Sequence, residues 1–440
     1  MSEMSEPRRI GPLTLTLGYT WLNAGGVMFA GLTVIPLLGF IGFIQPYLLT
    51  EVFGIAQEVQ GRLTGNLAAM QEVVVLLLMG IVGASSDNYG RRIIMVIGLG
   101  FVALGLLIYP LAQSEFQIFS YRAVFAIGAA IVPVMYGTSL QDLPANRSRG
   151  LLLGIGSIMT AVGMVVMSRN IGNLPGYLTE LGISPADAGI YTCWLMVGFA
   201  LFVALMIRLS WRSGQVAQNQ PQESLRTKVA KGFSEAAKNP RIALAFMTSF
   251  ASRGDLVAVG IFLPLWVVQH GNDVGLTSVE GMRRAGIMLA LVFGTSVLWS
   301  PVMGFIADRL NRVVTVVFGF SVAGVAYFAM YLAKDPFVTA ALLASVAVGI
   351  GEIAALVSGG ALLGQEAPKE RRGAVVGVFG LVGAFSILCT GYFGGIVFDK
   401  IGRGAPFAMM GIINFLVVLA ALVVLVRAPG MSAKEVRAST

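Results

Sequence analysis

The strongest constraint on this chain is a series of twelve apolar stretches, each close to the roughly 20 residues that a helix needs to cross the hydrocarbon core of a bilayer. They fall at 29–50, 64–84, 93–112, 116–136, 150–168, 189–209, 241–268, 285–305, 313–333, 337–361, 374–397 and 405–426. Lipid offers no hydrogen bonds to a bare backbone, so stretches of this length are expected to be helices. The fold class is therefore all-α integral membrane, with twelve transmembrane helices. Composition excludes the alternatives: 56% of the chain is hydrophobic and 12% charged, about half the charged share of a soluble domain. Too few polar side chains remain to cover a water-exposed globule, which rules out an ordinary soluble enzyme and a disordered chain. Two cysteines and one histidine exclude a disulfide scaffold and a Cys/His metal site, so no metal and no cofactor are expected.

Before the first stretch, Leu13 to Met28 is apolar but mixed with Thr14, Thr16, Tyr19 and Asn23, the pattern of a segment lying along the interface. The opening residues, with Glu3, Glu6, Arg8 and Arg9, lack the features of a secretory signal, so nothing is expected to be removed. Sorting the basic residues by connection gives an orientation. Of the 30 lysines and arginines, 21 fall in the termini and the connections on one side and seven on the other. By the positive-inside rule both termini are predicted to be cytoplasmic, in the cell inner membrane. The +8 charge is then a matter of topology and anionic lipid, with no nucleic acid implied.

The longest polar segment, Trp211 to Asn239, divides the stretches six and six. Within it Ser224 to Lys238 reads as an amphipathic helix, with Leu225, Val229 and Phe233 opposite Arg226, Lys228, Lys231 and Lys238. The two halves repeat. Gly54 and Gly275, Gly83 and Gly304, Asp87 and Asp308, and Arg91 and Arg312 are each 221 apart, and Gln141-Asp142-Leu143-Pro144 matches Gln365-Glu366-Ala367-Pro368 at 224. A duplicated six-helix unit, giving two pseudo-symmetric six-helix bundles, is the expected organisation. It comprises an N-terminal segment 1–28, a first bundle 29–210, a linker 211–240, a second bundle 241–427 and a tail 428–440.

Between the second and third stretches the chain reads Gly83-Ala84-Ser85-Ser86-Asp87-Asn88-Tyr89-Gly90-Arg91-Arg92, and between the eighth and ninth Gly304-Phe305-Ile306-Ala307-Asp308-Arg309-Leu310-Asn311-Arg312. This resembles the G-x-x-x-D-x-x-G-R-[KR] loop of the major facilitator superfamily, and with twelve spans in two halves the resemblance covers nearly the whole chain. The second copy has Asn311 where Gly is usual, a residue that tolerates left-handed backbone. The resemblance implies alternating access, with a cytoplasmic gate of Gly83, Asp87, Gly90, Arg91, Arg92, Asp142, Asp308, Arg309 and Arg312; Arg91 and Arg92 would reach acids such as Asp142. The fourth stretch, Arg122-Ala123-Val124-Phe125-Ala126-Ile127-Gly128-Ala129-Ala130, is similar to the family's R-x-x-Q-G-x-G-x-A segment, with Phe125 and Ala126 departing from it. The fifth has Gly154, Gly156 and Gly163 but no proline between Gly150 and Ser168, which weighs against the drug-antiporter signature.

Five charges lie well inside the stretches without a charged repeat counterpart: Glu72, Arg122, Arg253, Asp255 and Glu352. On insertion scales each costs about 2.5–3.5 kcal/mol at mid-bilayer, so function is the default expectation. The family fold would place Arg122, Arg253, Asp255 and Glu352 on cavity-lining spans. Arg253 and Asp255, two apart, would point to different sides of a regular helix, and Gly254 could loosen it locally. The expectation is that Glu352 or Asp255 carries a coupling H+, that Arg253 faces Glu352 and grips an anion, and that Glu72 pairs with Arg122. Neutral structural pairs are the alternative for both. Gln45, Tyr136 and Asn170 are weaker substrate candidates, His270 a solvated loop residue, and Cys193 and Cys389 buried small hydrophobes. Ser184 to Asp187 and Thr277 to Glu280 are expected helix caps.

The overall expectation is a secondary transporter, not an enzyme, moving a small organic solute, an organic anion, by proton symport. It is expected to be multi-pass in the lipid bilayer and to function as a monomer. Proton-driven efflux of amphipathic compounds is the alternative, with a non-transporting sensor behind it. No Gly-x-x-x-x-Gly-Lys-[Ser/Thr] loop occurs, so ATP is not the direct energy source.

Overall fold

In the computed structural model the described residues are 9–10, 13–145, 148–171, 173–212, 225–430 and 435. Residues 1–8 and 213–224 and all of the tail from 431 on except 435 lie outside them, as does Ser224 of the amphipathic stretch. Among the described residues twelve helices are long and apolar enough to cross a membrane. They are α1 Trp21–Val52, α2 Gln57–Tyr89, α3 Arg91–Leu111, α4 Glu115–Asp142, α5 Arg149–Ile171 and α6 Pro185–Ser210. Then follow α7 Pro240–Asp273, α8 Ser278–Arg309, α9 Arg312–Leu332, α10 Thr339–Glu366, α11 Arg372–Lys400 and α12 Ala405–Arg427.

Most helices outrun their apolar stretches because polar caps extend them. Thr20 and Asn23 form a capping box at the start of α1, so Trp21 to Met28 is already helix. Only the residues before it are extended. Arg9–Ile10 pairs with Leu13–Thr14, and the strand then zips onto the connection between α4 and α5. There the Thr16 N–H donates to the Leu143 carbonyl at 3.0 Å and the Thr14 N–H to Ser148 Oγ at 2.8 Å. Ser184 and Thr277 cap α6 and α8 as expected. A short helix at Leu174–Glu180 joins α5 to α6.

The chain forms two compact units. The first comprises residues 1–54 and 73–220, the second residues 55–72 and 221–440. Residues 55–72, which hold the first half of α2, fall in the second unit.

In the first unit α3 and α4 cross where a Cβ at Gly105 would stand 2.6 Å from the Phe125 backbone and one at Gly128 2.7 Å from the Gly98 carbonyl. The small residues after Arg122 thus serve helix packing. In the second unit, helix Leu225–Lys238 docks on α7 and α11. Phe233 meets Phe246 edge-on at 6.2 Å, Gly232 abuts Ala374 and Val378, and Glu235 pairs with Arg371. Protein therefore meets part of its apolar face, while Phe233 stays 48% exposed.

Candidate functional site

In the Gly83 loop the structure brings Arg91 and Asp142 together. Gly90 has φ +90°, a left-handed conformation that turns α2 sharply into α3. Arg91 Nε then lies 3.3 Å from Asp142 Oδ2, and its Nη1 donates to Ser86 Oγ. Arg92 reaches the Arg208 carbonyl at 3.3 Å. The Asp87 side chain lies outside the described residues, and a Cβ at Gly83 would meet nothing within 4 Å among the described residues.

In the second copy Asn311 is not left-handed: φ is −56°, and its side chain caps α9 by accepting from the N–H groups of Val313 and Val314. An N-cap replaces a glycine turn at the repeat position. Asp308 pairs with Arg312 at 3.3 Å, and Arg309 lies over the Phe305 ring at 3.7 Å. Glu366, the counterpart of Asp142, takes Arg241 at 2.8 Å and Asn239 at 3.1 Å. The repeated acids therefore hold non-equivalent arginines.

Among the unrepeated charges, Arg253 is exposed while Asp255 is fully buried in the second unit, as the i, i+2 spacing requires. Gly254 does not loosen the helix: a Cβ there would meet Met410 Cε and Thr390 Oγ1 at 2.7 Å, so it admits α11 and α12 closely. The break comes four residues later, where Ala258–Phe262 forms a π-helical turn and the Ala258 N–H donates to the Gly254 and Asp255 carbonyls.

Asp255 points into its own bundle. Its Oδ1 accepts from Asn414 Nδ2 at 2.9 Å, and Tyr327 donates to its backbone carbonyl at 2.9 Å. Glu352, 7% exposed on α10, lies within electrostatic reach of Asp255. Three buried acceptors at this place have no hydrogen-bond partner among the described residues: Asp255 Oδ2, Glu352 Oε1 and Asn414 Oδ1. Asn414 and Tyr327 escape a search for charges, and a lone asparagine in an otherwise apolar last span is the signal that finds the first.

Two expected pairings are corrected. The electrostatic partner of Arg253 is Glu72, not Glu352, because Glu72 lies in the part of α2 that belongs to the second unit. Arg122, paired with Glu72 by the sequence argument, instead lies over the rings of Tyr109 at 5.8 Å and Phe125 at 5.2 Å. At 3% exposure, with Nε and Nη1 lacking hydrogen-bond partners among the described residues, it is packed within the first unit.

Of the weaker candidates, Tyr136 donates to the Gly156 carbonyl at 3.2 Å, Asn170 to its own helix at 2.8 Å, and Gln45 is buried. His270 is not merely solvated: Nε2 lies 3.4 Å from Asp335 Oδ1 and the ring stacks on Phe337. Cys193 is buried and Cys389 half-buried.

A family model described as Major Facilitator Superfamily matches residues 24–282 and 273–439. The chain is 26% identical to the magnetosome protein MamH of Paramagnetospirillum magneticum, over 87% of this chain and 88% of that one. It is 29% identical to the magnetosome protein MamZ of Magnetospirillum gryphiswaldense over 86% of its own length, but spans only 58% of that relative. Among solved structures, a nucleoside transporter NupG carrying a D323A mutation superposes with a TM-score of 0.73 at 14% identity, covering 91% of this chain and 99% of that one. A bacterial homolog of the human lysosomal transporter Spinster, inward-facing and occupied, gives 0.64 at 18%, covering 91% and 96%. At these identities the structures speak for the fold alone.

Proposed function

Because this chain belongs to the major facilitator superfamily, and is thus a multi-pass membrane transporter, we propose that it moves a small organic anion by proton symport. The observation that carries this reading is the division of labour on α7. Arg253 is exposed, with Glu72 as its counter-charge, and Asp255, two residues on, lies within electrostatic reach of the buried Glu352 on α10, each with one oxygen unbonded among the described residues. A guanidinium grips a carboxylate or phosphate through two parallel hydrogen bonds. An anionic solute would compete with Glu72 for Arg253, and a proton on Glu72 would release the arginine to the solute. Asp255 or Glu352 would hold the coupling proton during the crossing.

The relatives' names supply no substrate, and the solute is identified here only by its charge. The side bearing the termini and most basic loops is taken as cytoplasmic. A purified-protein thermal-shift screen against mono- and dicarboxylates, phosphate monoesters and lipophilic cations tests the class, since a ligand of the folded state raises apparent stability. Stabilisation by an anion supports symport; stabilisation by lipophilic cations alone would favour efflux. Proton-linked accumulation in vesicles should disappear in Glu352→Gln or Asp255→Asn. Full pH-dependent accumulation in both would remove the coupling assignment.

A further inference from the structure

Where α7 and α9 end and α12 begins, the second unit holds a cavity of about 320 Å³ walled by Trp266, His270, Tyr331, Lys334, Arg403 and Gly404. By alternation of the spans it lies on the membrane side away from the termini. Its basic residues belong to the second half alone: shifted back by 221 to 224, none of His270, Lys334 and Arg403 meets a basic residue.

Two of these cations are held in different ways. Arg403 donates Nε to Gln269 Oε1 at 2.9 Å and Nη2 to Gln57 Oε1 at 3.1 Å, and its Nη1 pairs with Asp273. The guanidinium is thus fixed in place with two of its five N–H groups unspent among the described residues. Lys334 is exposed and makes no hydrogen bond or ion pair among the described residues. It is also the only one of them besides glycine with positive φ, +44°. It stands just past α9, where a helix most often ends on glycine, and a residue with a Cβ is strained there. Strain of this kind gathers at ligand sites, where the side chain has a use. The neighbouring carboxylates are engaged elsewhere: Asp273 with Arg403, and Asp335 Oδ1 with His270 Nε2 at 3.4 Å, and neither forms part of the wall. The rest of the wall is aromatic. Trp266 is buried against Phe407, and Gly404 lets the Tyr331 ring close in, since a Cβ there would stand 3.2 Å from its Cδ2.

We propose that this cavity binds an anion, a phosphate or carboxylate held between Lys334 and Arg403 with an apolar or aromatic body against Trp266 and Tyr331. A planar guanidinium fixes the direction of such a group, and an ammonium adds a point charge. The volume suits a small ligand. It is a second site, separate from Arg253: thirteen residues part Arg253 from Trp266 on α7, about 20 Å at 1.5 Å per residue, too far for one small solute to touch both. The same chemistry is offered by a soluble aryl phosphate and by the headgroup of an anionic lipid in that leaflet. The site stands whether or not Arg253 receives a transported anion.

Lys334 is its own reporter. The protein, in phosphatidylcholine nanodiscs, is treated with a water-soluble acetylating ester, and modification of each lysine is followed by mass spectrometry. Lys400, exposed on the same membrane side, is the control. Phenyl phosphate at ten times its dissociation constant should slow acetylation of Lys334 about tenfold, as the unoccupied fraction falls, and leave Lys400 unchanged. That result assigns a soluble anion; protection only when phosphatidylglycerol replaces phosphatidylcholine assigns a lipid headgroup. Either protection should vanish in Arg403→Gln and persist in Arg253→Ala. In the Arg253→Ala chain, Lys334→Gly should unfold at an unchanged or higher temperature, because glycine accepts positive φ, yet lose the stabilisation that phenyl phosphate or phosphatidylglycerol gives. No slowing at Lys334 with either probe, equal slowing at Lys400, protection that survives Arg403→Gln, or protection lost in Arg253→Ala would overturn the site.

Discussion

Arg122 and Arg253 read alike in the sequence, each a single guanidinium inside an apolar span, yet the two units use them differently. Arg122 is buried over the rings of Tyr109 and Phe125, and its Nε and Nη1 have no hydrogen-bond partner among the described residues. Arg253 is exposed, with Glu72 as its counter-charge. The first sets its charge against aromatic faces within the bundle; the second has a carboxylate as its counter-charge. Depth in a span therefore does not fix what a cation pairs with.

The sharpest way to break this contrast is to remove each arginine in turn. Arg253→Ala should lower anion uptake at subsaturating concentration by about a hundredfold, the loss of a charged hydrogen-bond pair worth roughly 3 kcal/mol. Arg122→Met fills the same space without a buried charge; it should leave uptake within about threefold and the melting temperature unchanged or raised, as for other buried charges replaced by apolar groups. Equal losses in the two variants would erase the distinction. Next in size, Glu72→Gln removes the competitor of the solute. Anion affinity at neutral pH should rise about tenfold, and its dependence on pH should flatten, because no proton is needed to free Arg253. Titrating binding from pH 5 to 8 checks both.

The two loop copies give the smallest effects and sharpen a second comparison, that between a glycine turn and an asparagine cap. Gly90→Ala should destabilise by about 1 kcal/mol because φ is positive there. Asn311→Ala should cost a similar amount through loss of the N-cap, whereas Asn311→Gly should cost only a few tenths. Thermal unfolding in detergent reads all three, and a large penalty for Asn311→Gly would contradict the cap.

The helices are legible in the sequence because hydropathy over about 20 residues is a local property that lipid enforces. The duplicated loops are legible for a similar reason, since Asp, Gly and Arg at fixed spacing survive inspection one copy at a time. The pairing of charges is not. Glu72 and Arg122 look matched by depth, but the structure gives Glu72 to Arg253 because α2 is shared between two units, a tertiary fact with no local trace. Asp255 likewise looks like a cavity residue until Asn414 and Tyr327 are seen to enclose it. Neutral polar residues in apolar spans carry as much information as charges, and Asn414 is the instance that matters most.

The central claim is that Arg253 receives an organic anion in exchange for Glu72, with a proton carried along. It is tested most directly in proteoliposomes loaded with a pH-sensitive dye and challenged with mono- and dicarboxylates and phosphate monoesters in turn. At least one anion is predicted to acidify the lumen in the unmodified protein, to fail in Arg253→Ala, and to do so still in Arg122→Met. Equal acidification with and without the Arg253 side chain, or none with any anion while lipophilic cations are expelled, would contradict it.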